Sequence, residues 1–324
     1  MHTNRNLPQP VADNATTRAG LIVRPEVPEC LTGSTMSSSS SAPSPGTALP
    51  LRSYLYDRHT LAVRIMHWVN AIALTVLLMS GLNIFSAHPA LYWGKSSYTG
   101  SGPVFEITAQ ESDDGVIGLT RSFGREWVTT GVLGASEDAE GDVVERTFPS
   151  WLTIPGNRWL SMARRWHFFF AWVIVINGLC YLAYSIASRH FARDLAPTAT
   201  DWRSIGRSVV DHLRFRHPTG EAAKRYNVLQ KLAYLSVIFV LLPLVVLMGF
   251  AMSPWLDSII PGWVDFFGGR QSARTIHFIA AWLLVAFVLI HVFEVIISGF
   301  WNHLRSMITG RYRINPEVSN EKPR

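Results

Sequence analysis

Three segments of the chain share one pattern, in which an arginine is followed three residues later by a histidine and then by an aromatic residue. They are Arg64–Trp68 (RIMHW), Arg164–Phe168 (RRWHF) and Arg274–Phe278 (RTIHF), and each opens a long apolar run. On a helix, residues three apart lie on the same face. An ionisable residue inside an apolar membrane segment is costly and usually functional. These histidines are therefore candidate site residues.

A fourth histidine, His291, follows His277 by fourteen residues in the last apolar run. On one helix this spacing separates them by about 21 Å and leaves both side chains on one face. If successive runs cross a membrane in alternating directions, His167 lies near His277 at one membrane face. His67 then lies near His291 at the other face. Paired imidazoles are axial ligands of haem iron in electron-transfer proteins, so the pattern predicts two b-type haems.

The elements that must position these histidines are four apolar runs, at about 64–85, 165–187, 229–252 and 275–300. The chain is 48% hydrophobic and only 16% charged, whereas soluble domains carry about 25% charged residues. Each run has the ~20 residues that a membrane-spanning helix needs, and only a helix satisfies so long a backbone segment in lipid. We predict an all-α integral membrane protein with a four-helix bundle, kinked at Pro243.

Charge distribution predicts the orientation of the bundle. The segment 188–228 holds eight Lys or Arg against four acids, whereas acids dominate the segment 86–163. The positive-inside rule therefore places 188–228 and both termini in the cytoplasm, and 86–163 outside. This topology explains the basic stretches better than nucleic-acid binding does. The predicted location is the bacterial inner membrane, with several membrane passes.

The domain organisation follows from these elements. Residues 1–50 are rich in Ser, Pro and Thr, a composition typical of disorder, and Met1 and Met36 are both candidate start sites. Residues 51–313 form the four-helix domain, and 314–324 form a C-terminal tail. Short strands or an interfacial helix are expected in 86–163, which we interpret as a docking surface, and an amphipathic helix is expected at about 202–213.

Other residues of the spans suggest how a haem is held. Arg64, Arg164 and Arg274 lie one turn closer to the membrane surface than their histidines, where each could pair with a haem propionate, and Arg165 competes with Arg164. The alternative is that these arginines only extend towards water at helix ends. Gly81 and Gly178 fall near the depth of a haem and would let a porphyrin approach the backbone. Ordinary packing of small residues is the alternative for both glycines.

The segments RIMHWVNAIALTVLLMSG, RRWHFFFAWVIVINGL, YNVLQKLAYLSVI and RTIHFIAAWLLVAFVLIHVFEVI carry a family resemblance. Over about residues 54–313 the chain resembles the bacterial cytochrome b561 and nickel-hydrogenase cytochrome b superfamily, and most of all the thiosulfate-reductase type of cytochrome b subunit. The resemblance implies a dihaem subunit that passes electrons between the quinone pool and a partner oxidoreductase, periplasmic and of the molybdopterin type. It implies the four histidines as haem ligands and no catalytic residue for the final substrate.

The family usually binds a quinone beside the inner haem. Candidates there are Asn227, Gln230 and Lys231 of the third run, and Glu294, whose carboxylate could relay protons. The alternative is that Asn227 and Gln230 cap a helix and that Glu294 pairs with a nearby arginine.

Two other functions remain open, a stand-alone quinone-linked haem b oxidase of a small reductant and a haem-free transporter that uses its histidines as a proton relay. The long acidic outer segment favours a docking partner over the stand-alone oxidase. Apart from Pro243, the spans lack the broken helices and repeats typical of transporters. The sequence contains no nucleophile elbow, HExxH or phosphate loop, no CxxCH, and only two cysteines, which excludes c-type haem and a disulfide framework.

Overall fold

A computed structural model describes residues 53–97, 100–113, 115–138, 140–156, 158–189, 191, 195–214 and 227–314. The predicted N-terminal tail with Met1 and Met36, the predicted C-terminal tail beyond Ile314, and residues 215–226 of the basic loop lie outside the described residues.

Four helical segments are long and apolar enough to cross a membrane. They are α1 (Leu61–Phe85), α2 (Leu160–Ala187), a composite third span and α8 (Arg270–Ile297). Apolar side chains around them, such as Ile72, Ile176 and Leu289, are exposed, as expected of surfaces that face lipid. The structure thus confirms four helices of membrane-spanning length.

The third span changes its helical type along its length. It consists of α4 (Val228–Ser236), one π-helical turn (Val237–Leu241) and α5 (Leu242–Ala251). Pro243 lies two residues after the π turn, as the second residue of α5. Proline lacks the N–H that an α-helix needs and its ring crowds the carbonyl four residues earlier, so a local change of hydrogen bonding is expected at this place.

The spans are joined in pairs by polar and small residues. Between α1 and α2, the buried Asn177 side chain donates hydrogen bonds to the Met66 carbonyl at 2.9 Å and to Asn70 Oδ1 at 2.7 Å. Between α5 and α8, Ala251 and Ala273 are fully buried around Met248. Such amide hydrogen bonds and small-residue contacts are what hold membrane helices together, because lipid gives no hydrophobic drive for their association.

Strands cover one end of the bundle, which we call the sheet end. The strands β2 (Ala90–Leu91), β3 (Phe105–Ser112), β4 (Gly115–Ser122) and β5 (Arg125–Val128) form an antiparallel sheet, and β6 (Ala135–Glu137) pairs with β7 (Val143–Glu145). A buried cluster of Leu82, Phe85, Leu91, Ile107 and Phe148 fixes the sheet to the end of α1. Two short helices, α6 (Pro254–Ile259) and α7 (Trp263–Phe266), connect α5 to α8 at this end.

The opposite end, which we call the terminal end, carries the remaining elements. The strand β1 (Tyr54–Asp57) pairs with β8 (Arg311–Ile314), and α9 (Phe300–Thr309) precedes β8. The helix α3 (Ala199–Leu213) starts with a capping box of Thr198 and Asp201, and Asp201 also pairs with Lys231 of α4 at 2.9 Å. The terminal end therefore gathers the start of α1, the ends of α2 and α8, and α3.

Candidate functional site

The four histidines of the spans form two facing pairs. At the sheet end, the rings of His167 (α2) and His277 (α8) have their centroids 6.2 Å apart. At the terminal end, the rings of His67 (α1) and His291 (α8) are 6.4 Å apart. Fourteen residues of α8 separate the two sites, a rise of about 21 Å.

These distances can be compared with what a shared metal ion requires. In protein metal sites an imidazole nitrogen lies about 2.0–2.1 Å from its ion and the ring centroid about 1.1 Å farther out, so two imidazoles on opposite sides of one ion have centroids about 6.3 Å apart. The observed 6.2 Å and 6.4 Å agree with this value. The ring separation in both pairs therefore matches that of a bis-histidine haem iron.

The hydrogen bond of His277 determines which of its nitrogens is free. Its Nδ1 lies 2.8 Å from the Val245 carbonyl of α5. A carbonyl oxygen only accepts, so Nδ1 carries the proton and donates it. The Nε2 atom is then the one with a lone pair for a metal, the arrangement that metal-binding histidines commonly have.

The same reasoning applies to His167. Its Nδ1 lies 3.1 Å from Ser80 Oγ of α1, and that hydroxyl donates its single proton to the Val76 carbonyl at 2.6 Å. Ser80 Oγ therefore accepts from the Nδ1–H of His167, which again leaves Nε2 free. Both rings at the sheet end are held by the chain itself.

Glycines give the sheet-end rings their space. A Cβ at Gly81 would lie 3.2 Å from Cε1 of His167, and a Cβ at Gly249 of α5 would lie 3.7 Å from Cε1 of His277. The absence of a side chain at Gly81 thus leaves space for the His167 ring, and its role in haem clearance stays a prediction. Among the described residues, none has an atom within 4 Å of the Cβ position of Gly178. The sequence reasoning did not find Gly249.

The terminal-end pair has aromatic neighbours instead. The ring of Phe287 stacks on His291 at 5.9 Å, and the ring of Tyr234 from α4 lies 6.5 Å from His291. Nδ1 of His67 is buried and has no hydrogen-bond partner among the described residues. A ligand at this site is therefore bordered mainly by rings.

The four arginines lie in different surroundings. Arg64 donates to the Ile308 carbonyl of α9, and its Nε is buried without a partner among the described residues. Arg274 donates to the His88 carbonyl and lies over the Phe85 ring at 5.5 Å. Arg164 lies over the Phe168 ring at 5.8 Å, and both Arg164 and Arg165 are exposed. Their pairing with propionates stays a prediction.

The polar residues considered for a quinone all have local partners. Asn227 and Gln230 form the capping box of α4, and Lys231 pairs with Asp201 at 2.9 Å. Glu294 lies 3.3 Å from Nε2 of His212 on α3, so its partner is a histidine and not the arginine considered as the alternative. The structure thus brings Glu294 and His212 together beyond the end of the His67–His291 pair.

Comparison with known proteins gives a consistent result. The family model described as prokaryotic cytochrome b561 matches residues 58–310. The chain is similar to the “Putative protein-methionine-sulfoxide reductase subunit YedZ1” of Azospira oryzae, with 27% identity over 238 residues, 74% of this chain and 89% of that protein. It is also 27% identical over 158 residues to the “Probable Ni/Fe-hydrogenase B-type cytochrome subunit” of Cupriavidus necator, 44% of this chain and 64% of that protein.

A hydrogenase subunit with the same printed name from Azotobacter vinelandii is 28% identical over 157 residues, 44% of this chain and 65% of that protein. No solved structure matches the chain. The superfamily that the sequence resembles is confirmed by these matches. With most of its length covered by the family model and four helices of membrane-spanning length, the chain belongs to the prokaryotic cytochrome b561 family of multi-pass membrane proteins.

Proposed function

We propose that this protein is the dihaem membrane subunit of a respiratory redox complex and that it carries electrons between quinones in the membrane and a partner oxidoreductase subunit. The observation that carries this proposal is the presence of two facing histidine pairs, at 6.2 Å and 6.4 Å, near opposite ends of one membrane bundle. Membership of a b-type cytochrome family supports haem b as the cofactor.

The residues of the chain have defined tasks in this proposal. Nε2 of His167 and of His277 would bind the iron at the sheet end, while Ser80 and the Val245 carbonyl hold the opposite nitrogens. His67 and His291 would hold the second haem. When bound, a bis-histidine haem supplies reversible one-electron oxidation and reduction without opening a coordination position.

The stoichiometry of quinol oxidation determines how many electrons and protons the protein must transfer. Oxidation of one quinol yields one quinone, two electrons and two protons, and the two electrons leave one at a time through the bundle to the partner. Operation in the opposite direction consumes two protons. The Glu294–His212 pair, 3.3 Å apart at the terminal end, offers a carboxylate and an imidazole for proton exchange there.

We further propose an orientation and a domain arrangement. The terminal end, with β1, β8 and α3, faces the cytoplasm of a bacterium, and the sheet end faces outward; the charge pattern assigns both chain termini and the basic loop 188–228 to the cytoplasmic side. Residues 51–313 then form the cytochrome b domain between two tails, 1–50 and 314–324. The excess of acidic residues in the segment 86–163 and its folding into strands support a docking role for the sheet end.

The partner class rests on relatives. The names of the similar proteins describe a subunit of a methionine sulfoxide reductase and subunits of Ni/Fe hydrogenases, and this supports an oxidoreductase partner for the present chain. We propose a periplasmic enzyme of the molybdopterin type, on the basis of the resemblance to thiosulfate-reductase cytochrome b subunits.

The test is a pyridine-haemochrome assay on detergent-purified protein, combined with spectra recorded after addition of decylubiquinol or menadiol. We expect two b-type haems per chain and their reduction by at least one quinol. Absence of haem from cells that make haem normally would contradict the electron-carrier function and favour the proton-relay transporter. Two haems that no quinol reduces, although dithionite reduces them, would contradict the quinone part alone.

A further inference from the structure

An apolar cavity lies at the terminal end between α2 and the third span. Its volume is about 270 Å³, and its walls include Leu182 and Ile186 of α2, Phe191, and Ile238 and Phe239 of the π turn. The rings of Phe191 and Phe239 meet edge to face at 5.6 Å. Ligand pockets are typically apolar cavities with few polar groups and volumes that start at about 300 Å³, so this cavity lies just below that range and restricts a ligand to a single ring system.

The cavity contains one buried hydroxyl group. Ser185 of α2 is 4% exposed, and its Oγ has no hydrogen-bond partner among the described residues. A buried polar group without a partner is unfavourable, and membrane serines usually bond a carbonyl of their own helix. Ser188, three residues further along α2, does so, since its Oγ donates to the Tyr184 carbonyl at 2.6 Å. Ser185 is one of the residues that line the cavity, and its hydroxyl is an unused donor.

The π turn supplies one wall of this cavity. Ile238 and Phe239 both belong to the π-helical turn Val237–Leu241. Single π turns inside helices occur often at functional sites. Ile238 also follows Tyr234 by four residues, and the Tyr234 ring lies 6.5 Å from the ring of His291. The third span thus connects the cavity wall with the terminal-end histidine pair.

The chemistry of these walls selects one class of ligand. A flat apolar ring with a carbonyl acceptor would fill the space between the aromatic walls and satisfy Ser185, while Arg189 lines the cavity as a cation. We propose that this cavity binds the head group of a quinone and that Ser185 Oγ donates a hydrogen bond to one quinone carbonyl oxygen. The inference rests on the proposed function and moves the quinone site away from Asn227, Gln230 and Lys231, which take part in a helix cap and an ion pair.

The first experiment is photolabelling of the protein in nanodiscs with an azido-quinone, followed by peptide mapping. We expect labelled peptides from α2 and the third span around the cavity. The Ser185→Phe variant fills the cavity and should lose the label. The matched control Ser188→Ala removes a hydroxyl that is already bonded within the helix, and it should keep the label.

The second experiment measures the rate at which limiting decylubiquinol reduces the haems. Ser185→Ala should slow this rate by about 3- to 10-fold, the effect of one neutral hydrogen bond, and Ser185→Thr should restore it. Haem content and reduction by dithionite should not change in any of these variants. That control separates loss of the quinone site from loss of the haems.

Several outcomes would overturn the inference. If quinol reduces the wild-type haems but Ser185→Ala and Ser185→Phe react and label like the wild type, the quinone binds elsewhere and the proposed function stands. If quinol reduces no haem in a protein that holds both, the cavity has no quinone role and the quinone part of the function fails with it. A co-purified phospholipid that quinone does not displace and that Arg189→Gln releases would identify the cavity as a lipid site.

Discussion

The histidine pair at the sheet end and the pair at the terminal end have almost the same ring separation, 6.2 Å and 6.4 Å, but different surroundings. At the sheet end, Ser80 and the Val245 carbonyl hold both Nδ1 atoms. At the terminal end, Nδ1 of His67 has no partner among the described residues, and His291 contacts the rings of Tyr234 and Phe287. Hydrogen bonds within the chain orient the first pair, whereas the described residues border the second pair mainly with aromatic rings.

This difference fits a division of tasks between the two ends. Hydrogen bonds to the distal nitrogen of a ligand histidine fix the ring and raise its basicity, which suits a site that passes electrons to a docked protein without rearrangement. The terminal end has an aromatic border, the Glu294–His212 pair and the nearby apolar cavity. Those features suit exchange of a diffusible membrane molecule together with protons.

The largest expected effect is loss of one haem from each pair independently. His277→Ala should remove the sheet-end haem, and His291→Ala should remove the terminal-end haem, because each leaves a single imidazole ligand. The pyridine-haemochrome assay should fall from two haems per chain to one in both cases. The difference spectra and midpoint potentials of the remaining haem should differ between the two variants.

His212→Ala is the matched control for this pair of variants, since His212 lies outside the spans and contacts only Glu294 among the described ion pairs. It should keep both haems. Loss of both haems from His277→Ala alone would mean that the two sites fold as one unit and would contradict the independence of the two ends.

A second prediction compares two glycines. Gly81→Leu should strongly reduce occupancy of the sheet-end haem, because even a Cβ would lie 3.2 Å from Cε1 of His167. Gly178→Leu places a side chain where no atom of the described residues lies within 4 Å of the Cβ position. Haem content and the spectrum of each variant measure the effect. If Gly178→Leu also expels a haem, then Gly178 borders the porphyrin, as the sequence predicted.

A third and smaller effect is expected from the hydrogen bond of His167. Ser80→Ala removes the hydroxyl that lies 3.1 Å from Nδ1 of His167, and loss of such a partner typically costs about 10- to 100-fold in metal affinity. Transfer of haem to apomyoglobin should therefore be faster for the sheet-end haem alone. Ser86→Ala, which removes a hydroxyl bonded to the Leu82 carbonyl of the same helix, is the control. Equal rates for Ser80→Ala and the wild type would show that this bond does not hold the ring.

The arrangement of the histidines could be foreseen because it depends on two periodic quantities, the rise and the turn of a helix. His277 and His291 lie on one helix, so their spacing alone gives the depth of two sites. The contributions of Gly249 and the Val245 carbonyl could not be foreseen. The third span contains no histidine, and its position against α8 follows from the packing of Met248, Ala251 and Ala273, which periodicity does not determine.

For the quinone site, the sequence and the structure point to different residues. Asn227, Gln230, Lys231 and Glu294 were chosen for the polar chemistry of their side chains, and in the structure that chemistry serves a helix cap and two ion pairs. Their part in quinone binding stays a prediction. The apolar cavity depends on a π turn and on contacts between α2 and the third span. Pro243 was the one visible signal for an irregular helix there.

The smallest predicted effect concerns how α3 is held at the terminal end. The backbone N–H of Thr198 and the Lys231 ammonium lower the pKa of the Asp201 carboxyl, so the charged form is favoured in the folded protein. This contribution is present above the ordinary pKa of an aspartate, about 3.9, and is lost as pH falls through the lowered value. The protection factors of the α3 amides, which are corrected for the slower intrinsic exchange in acid, should therefore fall in acid. Asp201→Asn should show fast exchange at neutral pH already, while Asp211→Asn on the same helix should behave like the wild type.

If Asp201→Asn also changes the potential of the terminal-end haem and not that of the sheet-end haem, then the cover formed by α3 is part of what makes the two ends different. Equal potentials would restrict the origin of that difference to Tyr234, Phe287 and the unpaired nitrogen of His67.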